Sequence, residues 1–281
     1  MLREKIDILK VNPDHPFRLA DMPTASKALY ADKEDYKKLL TKYKKNIDYL
    51  QLKFYASASH TLLVILQGMD SAGKDSMIRH VMSGVNPQGC SVSSFKKPSV
   101  EELQHDYLWR YQQKIPSLGM IGIFNRSYYE DLIVPSVHPD SIRHKTEDWF
   151  NQRCSQINEY EKYLTANKVV VMKFFLHLSK EEQRKRLLKR VDSASSNWKF
   201  SMDDLLERKH WKHYQRAYEQ CIGKTSTDYA PWYILPADDK KNARIMLSYI
   251  LCEKFCELKV GFPVPDEKHK KILKEVRKYL E

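Results

Sequence analysis

A continuous apolar run, Thr61-Leu62-Leu63-Val64-Ile65-Leu66, is followed almost at once by Gly68 and then by Gly73-Lys74. The run is too short for a helix and apolar on both faces, so it reads as a strand covered on both sides, as in parallel sheets. A helix is expected from about Gly73. A glycine-bracketed turn between a buried strand and a helix confines the chain to an α/β class. The alternation then continues. Residues 91–95, 120–124, 169–176 and 232–235 read as strands. Residues 99–113, 146–166 and 239–258 read as helices, and Ser179-x-x-Glu182 looks like a capping box opening another. This order predicts βαβ units in a three-layer α/β/α sandwich with a mostly parallel sheet.

The 281 residues fit a single domain of this kind. Residues 1–33 read as an irregular arm punctuated by Pro13, Pro16 and Pro23. A helix follows, with Tyr36, Leu39, Leu40, Tyr43, Ile47 and Leu50 at helical spacing. The tail, 268–279, is a basic amphipathic helix expected to dock on its own domain.

Gly68 and Gly73-Lys74 match most of the G-x-x-x-x-G-K-[ST] phosphate loop, in the required strand-to-helix context. Glycines let backbone N–H groups converge on phosphate oxygens, and the helix N-terminus adds partial positive charge. Gly68, Ser71, Ala72, Gly73, Asp75 and Ser76 are therefore the expected phosphate and nucleotide binders, with Lys74 as the point charge on the phosphate being moved. The loop departs from the pattern at one place. Where a hydroxyl should hold Mg²⁺ stands Asp75, and Asp70 lies inside the loop. A carboxylate beside phosphate repels it unless a cation lies between them, so Asp70 reads as a metal ligand.

After the 120–124 run come Asn125-Arg126-Ser127-Tyr128-Tyr129-Glu130-Asp131. Ligands of open α/β sheets bind beyond the carboxyl ends of strands, which sets this segment beside the loop. Arg126 is suited to clamp phosphate with two N–H donors. Glu130 or Asp131 completes a metal site or meets a nucleotide hydroxyl. Arg186 and Arg190 share one helical face, and a polar stretch ending in Asn197-Trp198-Lys199-Phe200 leads to a second charged helix. Residues 184–216 are thus expected to form a lid that brings cations to the developing charge and excludes water.

Lys and Arg number 48 against 36 Asp and Glu, a surplus of +12 that points to a polyanionic ligand. No apolar stretch approaches a membrane span or a secretion signal. The five cysteines form no C-x-x-C pair, and Cys252 and Cys256, one turn apart, read as buried small hydrophobes. Reduced thiols suit the cytoplasm. Neither membrane nor nucleic acid is expected as a partner. The competing readings are an ATP-dependent nucleotide kinase on the same fold and, from another class, a nucleic-acid-binding protein using the basic surplus.

Gly68-x-Asp70-x-x-Gly73-Lys74, Phe124-Asn125-Arg126-Ser127, Trp198-Lys199-Phe200 and Thr225-Ser226-Thr227-x-Tyr229-Ala230-Pro231-Trp232 occur in this order. Together they resemble the family-2 polyphosphate kinases, from about residue 32 to about 255. The Tyr128-Tyr129-Glu130-Asp131 version is most similar to the subgroup that phosphorylates nucleoside mono- and diphosphates alike. The resemblance implies a P-loop kinase-like fold with a helical lid. It implies reversible, Mg²⁺-dependent transfer of a terminal phosphoryl group between inorganic polyphosphate and purine nucleotides: AMP and ADP, with GMP and GDP as further acceptors and Mn²⁺ as a substitute metal. Asp70, Lys74, Arg126, Arg186 and Arg190 become catalytic positions. Lys199 joins the polyphosphate path, Glu130 the nucleotide site, and Asp131 joins Asp70 on the metal. A homo-oligomer, dimer or tetramer, is also implied.

Overall fold

The computed structural model describes residues 6–141, 148–195 and 197–281. Five strands form one sheet: β1 Thr61–Gln67, β2 Cys90–Ser94, β3 Ile121–Asn125, β4 Val169–His177 and β5 Trp232–Pro236. Their order is β2-β3-β1-β4-β5, and every pair is parallel. Val64 in the central strand lies opposite Ile123 on β3 and Met172 on β4.

The described α-helices, in chain order, are α1 Lys33–Ser57, α2 Lys74–Val81, α3 Trp109–Gln112, α4 Glu130–Val137 and α5 Trp149–Ala166. They continue as α6 Lys180–Asp192, α7 Met202–Lys209, α8 Trp211–Thr225, α9 Lys240–Glu257 and α10 Glu267–Leu280. The period-two alternation of β1 splits the core into two layers. Leu63 and Ile65 pack with Phe124, Tyr128, Trp149, Phe175, Tyr218 and Trp232. Leu62, Val64 and Leu66 pack with Ile47, Phe54, Phe174, Leu176, Met246 and Phe255. Each such aliphatic side chain contributes roughly 1.5–3 kcal/mol when fully buried. The three-layer sandwich with a parallel sheet is as expected.

Several expectations need correction. The 99–113 segment is not one helix but a 3-10 turn, Glu102–Gln104, and the short α3. Ser99 Oγ accepts from Glu102 N at 3.2 Å, and Glu102 Oε2 accepts from Ser99 N at 2.9 Å. Asp106 then accepts from Leu108 N at 2.9 Å and restarts the chain in a new direction. Side chains that bond nearby backbone compete with helix continuation.

The arm is irregular as its prolines suggest, with one 3-10 turn at Leu19–Asp21 among the described residues, but it is tied to the sheet. Val11 N donates to Trp232 O at 2.9 Å and Ile234 N to Leu9 O at 2.8 Å, so the arm covers the free edge of β5. The tail helix α10 does not dock: all its residues are exposed, Tyr279 by 90%. Cys252 is buried as expected, but Cys256 is exposed.

Gly119, just before β3, has φ +81, and a Cβ there would lie 2.9 Å from the Tyr55 carbonyl oxygen. It sits at the end of β3 remote from the loop after β1. Gly119→Ala is expected to lower the thermal midpoint by about 5 °C, through left-handed strain and the backbone clash, while activity at 25 °C stays unchanged. Thermal unfolding and steady-state rates check both halves.

Candidate functional site

The carboxyl ends of β1, β3 and β4 stand side by side, and their following loops make the site. After β1 the chain turns through Gly68 (φ +149), Ser71 (φ +63) and Gly73 (φ +106) into α2. A Cβ on Gly68 would lie 3.0 Å from the Leu176 carbonyl oxygen, so only glycine lets the loop lie against β4. Lys74 opens α2 and folds back across the loop. Its Nζ donates to Gly68 O at 2.6 Å and to Met69 O at 3.3 Å. Burial, and then the nearby Arg126, hold this amine below the usual lysine range, while Asp70, Glu130 and Asp75 pull the other way.

Arg126 follows β3 with φ +65 and reaches back over the loop. Its Nη2 donates to Asp70 Oδ1 at 2.7 Å, and its Nη1 lies 3.6 Å from Glu130 Oε2. Glu130 first, then Asp70, raise the guanidinium above its usual range against the cost of burial. Asn125 Nδ2 donates to Asp75 Oδ1 at 2.7 Å and so joins the ends of the two segments. Lys74, Asp70, Arg126 and Glu130 therefore lie together at the ends of β1 and β3.

Asp131 does not join them. Its carboxylate accepts the Tyr111 hydroxyl at 2.6 Å and faces Arg110 and Arg153, and burial raises it above the usual carboxylate range. Glu130, four residues after Arg126, falls on the loop's side of α4. Asp131, about 100° further round, turns toward α3. Glu130 thus lies beside Asp70 and Arg126, whereas Asp131, expected to join Asp70 on the metal, points away.

Arg186 is also placed differently. It is buried beneath the loop rather than presented on a lid surface. Its Nη1 donates to Ala72 O at 2.8 Å and Ser71 O at 3.2 Å, Nη2 to Asp238 O at 3.1 Å and to Ala237 O, and Nε to Glu182 Oε1 at 2.8 Å. The expected capping box is therefore half formed. Ser179 Oγ accepts from Glu182 N at 3.1 Å, but Glu182 turns to Arg186, and Asp238 takes the Ser179 N–H at 2.8 Å.

Arg190 lies further along α6 and pairs with Asp204 of α7 at 2.8 Å. Lys199 sits on the 3-10 turn Asn197–Lys199, and its side chain lies outside the described residues. Arg208 ties α7 to α6 through Gln183 Oε1 at 2.6 Å. Glu207 accepts from Tyr214 Oη at 2.6 Å and lies 2.9 Å from His138 Nε2.

Sequence reasoning missed Arg244, whose Nη2 donates to Ser76 Oγ at 2.8 Å and Nη1 to Tyr36 Oη at 3.0 Å. It also missed Gln183, which holds Asp70 O at 2.9 Å. A basic residue one turn into a helix after the last strand was the only signal for Arg244.

Residues 30–260 match the family description Polyphosphate kinase 2 (PPK2). The chain is 44% identical to an ADP-polyphosphate phosphotransferase from Rhodopseudomonas palustris, over 99% of each chain. It is 41% identical to an AMP/ADP-polyphosphate phosphotransferase from Meiothermus ruber, over 95% of this chain and 98% of that one. The crystal structure of polyphosphate kinase 2 from Arthrobacter aurescens superposes with a TM-score of 0.87 at 36% identity, covering 95% of both chains.

Arg186→Lys is expected to lose the planar fork that holds four carbonyls at once. The thermal midpoint should fall by several degrees and kcat by about tenfold or more, because the loop is no longer braced. Unfolding curves together with kcat measure this. A variant that keeps both would show that the loop holds its shape unaided.

Proposed function

We propose that this chain, which belongs to the polyphosphate kinase 2 family and is a polyphosphate:nucleotide phosphotransferase, grips the migrating phosphoryl group between Lys74 and Arg126. The reading rests on one observation above all. A buried lysine and a left-handed arginine from two adjacent strand ends meet across Asp70 and Glu130, as positioned charge for phosphoryl transfer requires. Each cation is held by protein oxygens: Lys74 by loop carbonyls, Arg126 by the two acids. Phosphate oxygens would replace those partners at little reorganisation cost.

An oxygen of the acceptor's terminal phosphate attacks the terminal phosphorus of polyphosphate. The P–O bond to the rest of the chain breaks, and its electron pair leaves on the shortened polyphosphate. The reverse step uses the same groups. Among the relatives, one is named for ADP and another for AMP and ADP; we assign both acceptors to this chain, with GMP and GDP as further acceptors. Asp70 and Glu130, half-shielded hard oxygen donors at the loop's mouth, fit a divalent cation, Mg²⁺ or Mn²⁺ in its place. Such a cation, when bound, neutralises charge between the donor and acceptor phosphates.

We read α6, the turn at Asn197–Lys199 and α7 as the lid, with Arg190 and Lys199 along the polyphosphate path and Arg186 as the brace beneath it. We infer a cytoplasmic homo-oligomer, supported by five free cysteines and by Tyr49, Leu52 and Tyr55, exposed on one side of α1. No described helix is long and apolar enough to cross a membrane.

Incubation with polyphosphate, a divalent metal and AMP, ADP, GMP or GDP is expected to yield the next phosphorylated nucleotide; no product with any acceptor would sink the reading. Lys74→Ala should lower kcat by on the order of 10²–10³-fold. Glu130→Gln should raise the metal concentration needed for half-maximal rate several-fold, whereas Asp131→Asn should leave that concentration unchanged. Metal titrations of the two variants separate the acids.

A further inference from the structure

Beneath Arg126 lies a charge pair that the reaction itself does not use. Lys173, in the middle of β4, and Glu161, on α5, are both fully buried, with Nζ to Oε2 at 2.6 Å. Glu161 Oε1 accepts from the hydroxyls of Tyr128 and Tyr129, each at 2.8 Å. Lys173 Nζ spends its other two donors on Tyr129 Oη at 3.0 Å and Thr225 O at 2.6 Å. Thr225 Oγ1 in turn accepts from Trp232 Nε1 at 2.9 Å. All three ammonium protons are thereby used within the core.

Stability alone does not explain the pair. Burying two charges is expensive, and well-packed apolar side chains of similar volume commonly do as well or better. What the pair does is hold two distant parts of the chain. Tyr128 and Tyr129 stand two and three residues after Arg126, whose positive φ is a strained backbone for a residue with a side chain. Such a conformation persists only when its surroundings over-determine it. Thr225 ends α8, the helix by which the excursion through α6 and α7 returns to the sheet. The same node therefore fixes the end of the Arg126 segment, where it enters α4, and the base of the returning helix. It also gives a place to Thr225 and Trp232, which the proposed chemistry leaves without a role.

We propose that the buried Glu161–Lys173 pair positions the Arg126 clamp through Tyr128 and Tyr129 and ties it to the base of the lid, making these four side chains positioning residues for phosphoryl transfer. The proposal rests on Arg126 being the clamp. The hydroxyls fix where the segment enters α4, and their shared acceptor on Glu161 holds both tyrosines in place. Loss of one hydroxyl loosens the guanidinium without removing it.

Tyr129→Phe tests this while keeping the ring against Trp232, 4.8 Å away. Its kcat is expected to fall roughly ten- to a hundredfold with KM for polyphosphate and ADP within about twofold, since only the reacting geometry is disturbed. On an Arg126→Ala background the same change should have no further effect on kcat, because both act through one group. The double variant Glu161→Leu/Lys173→Met removes both charges together but strands the two tyrosine hydroxyls and Thr225 O; its thermal midpoint should fall by several degrees, and it should still show the loss of kcat at temperatures where it stays folded. A Tyr129→Phe enzyme with unchanged kcat, or one whose loss adds fully to that of Arg126→Ala, overturns the positioning role. An Arg126→Ala enzyme with full kcat overturns the clamp, and the proposal with it.

Discussion

The parallel pairing of β1 with β3 on one side and β4 on the other is the constraint on which the site depends. Parallel strands end at the same edge, so the segments leaving β1, β3 and β4 emerge as neighbours although they are some fifty residues apart in the chain. No short turn can join such strands, and each must be followed by a helix that packs back on the sheet. The helices therefore begin where the strands stop. The glycine-bracketed loop after β1, Arg126 and the brace at Arg186 are all products of that edge. An antiparallel neighbour at either position would carry one of them to the opposite end.

Concentrating cations at one edge has to be reconciled with a stable core. The structure does this by giving each cation an oxygen of its own. Lys74 holds carbonyls of its own loop, Arg126 two carboxylates, Arg186 the carbonyls of two loops, and Arg244 two hydroxyls. Most of these oxygens are backbone, which brings partial charge without a counter-ion. Asp70, Glu130 and Glu182 match part of this charge at the site itself, while the surplus of +12 belongs to the chain as a whole and suits a polyanion.

Much of this was legible in the sequence where the chemistry is local. The loop, the strands and Arg126 are announced by short patterns whose meaning depends on a few adjacent residues. Legibility failed where meaning depends on what lies opposite. Helical spacing put Arg186 and Arg190 on one face, but not that the first would meet carbonyls beneath the loop. The choice between Glu130 and Asp131 turned on one step of helical rotation. Residues 99–113 have enough apolar positions for a helix, but Ser99 and Asp106 offer the backbone nearer partners. Lys173 was in plain view: a lysine inside a buried strand demands a buried acid, and Glu161 stands on the same helical stripe as Ile157 and Leu164.

The strand order has a further consequence during synthesis. β1 is the first strand made, and all seven of its residues are buried in the finished sheet. Its partners on either side begin only at residues 121 and 169. With no hairpin to nucleate on, a short apolar segment must wait unpaired while more than fifty further residues emerge for one neighbour and about a hundred for the other. Such non-local pairing is slow, and exposed apolar strand edges are where newly made chains aggregate. The lysine-rich helix α1, which immediately precedes β1, gives the waiting segment a strongly charged flank. The same basic surplus that suits a polyanion in the folded enzyme also keeps nascent chains apart by repulsion.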